Sequence, residues 1–240
     1  MIKDKNYLLN ISERILTIAK KLGATDASVV VSNSISEDIN YRNKKIDGST
    51  RSENLVAELT TYFGKKKSSL TSSNLKADVL DELVEKCFLA TKITPEDELN
   101  SLPDKDLYFQ GLKELDLFDE THLDNKEKIN YLKEAEEVAF SVPKIVNTNG
   151  SGFSEKKSNF VLANSNGFSD GYETSQFTAY CEVVSKENGS MERDYEYSSK
   201  RFFSDLLSPK EMGENASKFA IRKLNPKKIK SEKMTVVFDK

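Results

Sequence analysis

The stretch ETSQFTAYCEVV, residues 173–184, sets the reading of the whole chain. Phe177, Ala179, Cys181 and Val183 alternate with polar or larger neighbours, so they share one face of a strand. A strand with one apolar face and one wetted face belongs to an antiparallel sheet rather than a parallel one. Shorter runs of the same kind lie on either side. Ser28 to Val31 is β-branched, Asn54 to Phe63 reads as a strand ended by Gly64, and Lys65 to Thr71 is placed to pair back against it. Asn159 to Ala163 and Arg193 to Tyr197 supply further strands. Asp47-Gly48, Asn149-Gly150, Asn166-Gly167, Asp170-Gly171 and Asn188-Gly189 are dipeptides of the hairpin-turn type.

Helices bracket these strands. Leu8, Ile11, Ile15, Ile18 and Leu22 give one apolar stripe over Asn6 to Leu22, closed by Gly23. Leu80, Leu83, Val84, Cys87 and Phe88 give a second, within a helix over Asn74 to Thr91. A third helix is expected over Asn125 to Phe140. A fourth starts at Ser208-Pro209-Lys210-Glu211, where a Ser cap, a Pro at the first helical position and a Glu three residues on form a capping box. Its stripe is Met212, Ala216, Phe219, Ala220 and Leu224, and Asn225-Pro226 stops it.

The order of helix, antiparallel strands and helix therefore occurs twice. The expected fold is α+β, with two topologically similar halves, each made of helices packed on an antiparallel meander. Residues 1–92 form the first half, 93–125 a connecting segment and 126–232 the second half. In the connector the short apolar patch Leu115 to Phe118 docks on the surface. Residues 233–240, with the run Thr235 to Asp239, are read as the first strand of a further domain outside this chain; the plainer alternative is a C-terminal edge strand.

Composition narrows the function. A formal net charge of -3 gives no bulk attraction for nucleic acid. The N-terminus has no apolar signal core, and no stretch approaches the length of a membrane span, which points to a cytoplasmic protein. Cys87 and Cys181 sit inside apolar patterns and read as core thiols in a reducing compartment. His122, in the polar run Glu120 to Asp124, is the only histidine, too little for a zinc site. Gly64-Lys65-Lys66-Lys67-Ser68 lacks the first glycine of a phosphate loop and reads as a lysine-protected edge. Asn225 to Lys230 reads as a basic linker, and acids such as Glu134, Glu136 and Glu137 as an exposed helix face. No catalytic and no metal-binding residues are assigned.

A different kind of information comes from residue runs. Val161-Leu162-Ala163-Asn164-Ser165-Asn166-Gly167-Phe168 resembles a signature of the PmbA/TldD family. Met191-Glu192-Arg193-Asp194-Tyr195-Glu196-Tyr197-Ser198, followed by Arg201 and Asp205-Leu206, resembles a stretch of its PmbA/TldE branch. Gly213 to Ala216, Leu224 to Lys228, Gly23-Ala24, Arg42 and Leu115 to Asp119 fall in matching order. The resemblance implies a subunit of a cytoplasmic TldD/TldE-type zinc metalloprotease that acts on flexible peptides. In that family the zinc belongs to the TldD-type partner, so this chain is expected to hold no cofactor and to help enclose or position substrate. Arg193, Asp194 and Tyr195 are the candidate interface or peptide-facing residues. Two alternatives stand beside this: the N-terminal half of an active TldD-like peptidase, against which the Arg193-Asp194-Tyr195 segment speaks, and a non-proteolytic regulatory module of the kind labelled a modulator of DNA gyrase.

Overall fold

A computed structural model describes residues 2–111 and 114–238. Helix α1 (Lys5–Leu22) is followed by strands β1 (Asp26–Arg42), β2 (Lys45–Phe63) and β3 (Lys66–Ser72) and by helix α2 (Ala77–Ile93). The second run is α3 (Asn125–Ser141), β4 (Ile145–Asn164), β5 (Ser169–Glu187), β6 (Ser190–Lys200) and α4 (Pro209–Arg222). The helix-meander-helix order is thus present twice. The two meanders do not stand apart. All six strands form one antiparallel sheet in the order β3-β2-β1-β4-β5-β6, with β1 and β4 paired at its middle from Ser28↔Asn164 to Tyr41↔Ser151.

Local chemistry accounts for the element ends. Gly23 closes α1 in the left-handed region at φ 96°, where a side chain would be strained. The capping box at Ser208 and Glu211 is formed in both directions, and Asp124 with Glu127 makes another at the start of α3. Asn166-Gly167 and Asn188-Gly189 are turns, but the other three dipeptides are not. The β1–β2 hairpin turns at Asn43 and Lys44, both at positive φ. Asp47 is the unpaired extra residue of a bulge, since Asn40 pairs with Gly48 and Tyr41 with Ile46. Asn149 is the extra residue of a second bulge, and Asp170-Gly171 lies within β5. A flexible dipeptide serves a bulge as well as it serves a turn. Residues 226–238 carry no regular secondary structure, so the run 235–238 is not a strand here; Asp239 lies outside the described residues.

All four helices cover the same face of the sheet. Val29, Val31 and Ile39 share a parity on β1, yet the first two pack with α1 and α2 and the third with α3 and α4. Each core also borrows from the other half: Ile39 and Tyr41 enter the α3/α4 core, and Val161 and Ala163 enter the α1/α2 core. The connector docks at the edge of β5 beyond the end of β6, where the Leu117 carbonyl accepts from the Ser175 amide at 3.0 Å and Asp119 accepts from the Phe203 amide at 2.8 Å. No helix among the described residues is long and apolar enough to cross a membrane.

Helices α3 and α4 cross at Gly213. A Cβ there would come within 2.4 Å of the Ala135 carbonyl oxygen, which belongs to a backbone that cannot swing aside. Gly213→Val should therefore cost about 1–3 kcal/mol by forcing the helices apart. An unchanged midpoint in urea would show that the crossing relaxes freely.

Candidate functional site

Between the two apolar cores the helix-covered face becomes polar. Glu37 of β1 and Glu155 of β4 are direct register partners, and Lys128 of α3 reaches between them. Its Nζ is 2.7 Å from an oxygen of each carboxylate, and its side chain is fully buried. The Lys128 hydrogen bond, aided by the charge of Arg51 at 2.7 Å, holds the Glu37 carboxyl below its usual range despite partial burial. Burial works against the Lys128 ammonium, but its bonds to Glu155 and Glu37 prevail and raise its pKa. Beside this group Asn33 Oδ1 accepts from the Lys3 amide at 2.7 Å, and Asn159 Nδ2 donates to the Lys3 carbonyl at 3.0 Å. A cavity of about 630 Å³ opens here, lined by Ile35, Glu37, Phe118, His122, Glu155 and Lys157 among others.

Lys128 and Glu136 were missed in the sequence, although a signal was there. Both fall on the stripe of α3 that also carries Tyr131, Leu132, Ala135 and Ala139. A charged residue in an apolar stripe needs a buried partner. Glu136 is 1% exposed and accepts from the Asn43 and Lys44 amides at 3.0 and 2.9 Å. It does not sit on an exposed helix face; it satisfies the tip of the β1–β2 hairpin.

The potential metal donors do not converge. His122 lines the seam cavity, Cys87 lies in the α1/α2 core and Cys181 in the α3/α4 core. Burial pushes both thiols up, Cys181 to about 12, which opposes the thiolate that zinc requires. Among the described residues no cluster of three or more His, Cys, Asp or Glu could hold a metal ion. The described residues do not fit a zinc centre.

Among the described residues no α-helix packs on the opposite face of the sheet, although at one end the connector brings Phe109 and Leu115 to a cavity shared with Phe160, Leu162 and Tyr172. Ser32, Ser34, Ser36, Ser154 and Ser158 alternate outward at its middle, as the burial pattern of β1 and β4 shows. Toward β6 the face becomes aromatic. Tyr180 lies across Gly152, where a Cβ would come within 2.3 Å of its ring, and its hydroxyl donates to Asn40 Oδ1 at 3.2 Å. Tyr197 is its register partner, and the Tyr195 ring lies 6.1 Å from that of Tyr197.

Comparison with known proteins follows this geometry. Residues 118–224, which begin in the connector and run past α4, match the PmbA/TldA metallopeptidase central domain. The Metalloprotease PmbA homolog of Haemophilus influenzae is 28% identical over 222 residues, 92% of this chain and 49% of that protein. The chain is similar to members of the PmbA/TldD family over most of its length. Among solved structures, a provisional modulator of DNA gyrase from Bacteroides thetaiotaomicron superposes with a TM-score of 0.85 at 24% identity, over 95% of this chain and 52% of that one. TldE from Thermococcus kodakarensis gives 0.67 at 14% identity, over 88% of this chain and 47% of that one. The chain spans about half the length of the curated PmbA relatives it matches.

The two PmbA-like runs occupy defined places in the fold. The Asn164 to Phe168 run is the β4–β5 turn. Asn164 Oδ1 accepts from the Asn166 and Phe168 amides, and Ser165 Oγ bridges Asp26 Oδ1 and the Ala27 amide. Its polar atoms serve the fold. The second run is β6 itself. Arg193 and Tyr195 project from the uncovered face, with Arg193 only 3.8 Å from Glu182 in a loose, exposed pair. Asp194 projects toward α4 and pairs with Lys223 at 2.8 Å. Burial resists its ionisation, but bonds from Lys223 and the Tyr195 amide keep its carboxyl below the usual range. The three candidates are therefore split between two faces of one strand.

Proposed function

We propose that the chain is a non-catalytic, PmbA/TldE-type subunit of a cytoplasmic TldD/TldE-type zinc metalloprotease, and that it helps enclose or position flexible peptides. One observation carries this reading. Among the described residues four helices cover one side of a six-stranded sheet, while the middle and the β6 border of the other side carry no helix and present serines at the middle and tyrosines at the border. Tyrosine, serine, asparagine and glycine together make adaptable contacts that tolerate many sequences. That property suits a wall facing unstructured peptides. On this reading the zinc and the hydrolytic chemistry reside in a TldD-type partner, and Arg193 and Tyr195 face the partner or the peptide.

Co-expression of the protein at its natural length with a TldD-type subunit is the test. A co-purifying complex should cleave unstructured peptides, with each subunit inactive alone. Undiminished cleavage by the partner alone would refute the subunit role, and cleavage by this protein alone would refute its non-catalytic character.

A further inference from the structure

We propose that β6 is a strand-addition edge held shut by three side chains, Asp194, Glu196 and Lys223, and that without the two carboxylates it pairs with β6 of a second copy of this chain. The argument begins with which backbone groups face outward. The Glu192 carbonyl accepts from Ser185 of β5 at 3.3 Å, so the even residues of β6 turn their backbone groups inward. The odd residues turn theirs toward the open edge. Three of those outward groups are already occupied. The Tyr195 amide donates to Asp194 Oδ1 at 3.0 Å, and the Tyr197 amide donates to Glu196 Oε1 at 2.9 Å. The Arg193 carbonyl accepts from Lys223 Nζ at 3.4 Å.

Helix α4 holds the guards in place. Lys223 pairs with Asp194 Oδ2, and Asn215 Nδ2 donates to Glu196 Oε2 at 3.0 Å. The strand needs such a device. It is 11 residues long with no internal glycine or proline, and Met191, Tyr195 and Tyr197 are each more than half exposed along it. An edge of that length and composition is a template for another strand. The other border, β3, is only 7 residues long and carries Lys66 and Lys67, which discourage pairing by charge alone.

Geometry also selects the register. Antiparallel self-pairing must join outward residues to outward residues; a two-fold axis at any odd residue does so, and the axis at Tyr195 is the one that pairs the whole strand. It sets Arg193 opposite Tyr197 of the second copy, a favourable cation–aromatic pair. It also sets Asp194 opposite Glu196, two like charges in direct apposition. The carboxylates therefore block the edge twice, by filling its amides and by repelling their counterparts.

Sedimentation velocity over a wide concentration range tests this on the full chain. The variant carrying Asp194→Ala and Glu196→Ala should self-associate at least about tenfold more tightly than the unaltered chain. Asp194→Asn with Glu196→Gln keeps the acceptors and should associate less than the alanine pair. Adding Tyr195→Pro to the alanine pair removes the central outward amide and should abolish the association. A folded alanine variant that associates no more than the unaltered chain overturns the proposal, as does association that survives Tyr195→Pro. Hydrogen exchange on the unaltered chain decides the matter if the variants do not fold. The Tyr195 and Tyr197 amides should exchange more slowly than the outward amide of Arg193, and equal rates would overturn the guard.

Discussion

Lys128→Ala is expected to lower the free energy of unfolding by about 3–5 kcal/mol near neutral pH, measured by urea titration. The loss is large because the charge it removes is completely buried and serves two acceptors. Without it, Glu37 and Glu155 face each other in register across the β1–β4 pair with no cation between them. The variant should also respond differently to acid. In the unaltered protein the depressed Glu37 pKa contributes stability that is present above the unfolded-state value and lost as pH falls through the folded-state value. The raised Lys128 pKa contributes stability that is present below its unfolded-state value and lost as pH rises through the folded-state value. Once Lys128 is gone, Glu37 keeps only the more exposed Arg51 and Glu155 the more distant Lys157, so protonating one carboxylate relieves their mutual repulsion more than it weakens a pair. The deficit of the variant should therefore shrink toward acidic pH. A loss below about 1 kcal/mol, or one that is constant with pH, would mean that water replaces the ammonium without penalty.

Phe153→Ala should cost a comparable amount, about 3–5 kcal/mol. Phe153 is 2% exposed and touches elements from both halves. It pairs in register with Ile39 of β1 and with Ala179 of β5, and its ring meets Tyr131 of α3 edge-on at 5.5 Å. The Phe203 ring lies 6.2 Å away, tilted against it. Truncation leaves a void bounded by three secondary elements, none of which can collapse without pulling on the others. Phe153→Leu fills most of that space and should cost clearly less. Equal losses from the two variants in a guanidinium titration would contradict the void as the cause.

These two residues also show where the sequence was readable. Ala179, the neighbour of Phe153 on β5, was legible because alternation marks a half-buried strand and four helix stripes mark what covers it; Phe153 itself was not, since it lies in the part of β4 before the stretch Asn159 to Ala163 that the pattern revealed. The length of the strands was not. β1 and β4 run for 17 and 20 residues, far beyond their apolar cores. Ser154 to Ser158 are polar on both faces, and Ser32 to Asp38 nearly so with Ile35 as the one apolar residue, because they cross the seam, so the period-two signal fades there although the ladder continues. Ladder bonds on both sides hold β1 and β4 extended, and backbone bonds leave no mark in side-chain pattern. The turn dipeptides misled for a related reason, since bulges recruit the same residues as turns. Lys128 was legible in principle. Its partners were not, because Glu37 and Glu155 lie 91 residues before it and 27 after it, and only the central strand pairing brings them together.

That central pairing has a consequence for the birth of the protein. Tyr41 meets Ser151 and Ser28 meets Asn164, partners more than a hundred residues apart. At a synthesis rate of roughly 5–20 residues per second, β1 leaves the ribosome on the order of ten seconds before β4 exists. Through that interval Val29 and Val31 lack the strand that completes their core, and one whole border of β1 is open. The nascent first half is thus a natural client for a chaperone, and its folding must wait for the second half, since long-range pairing of this kind closes slowly. The fold therefore places its slowest step at the junction that gives the finished sheet its continuous width.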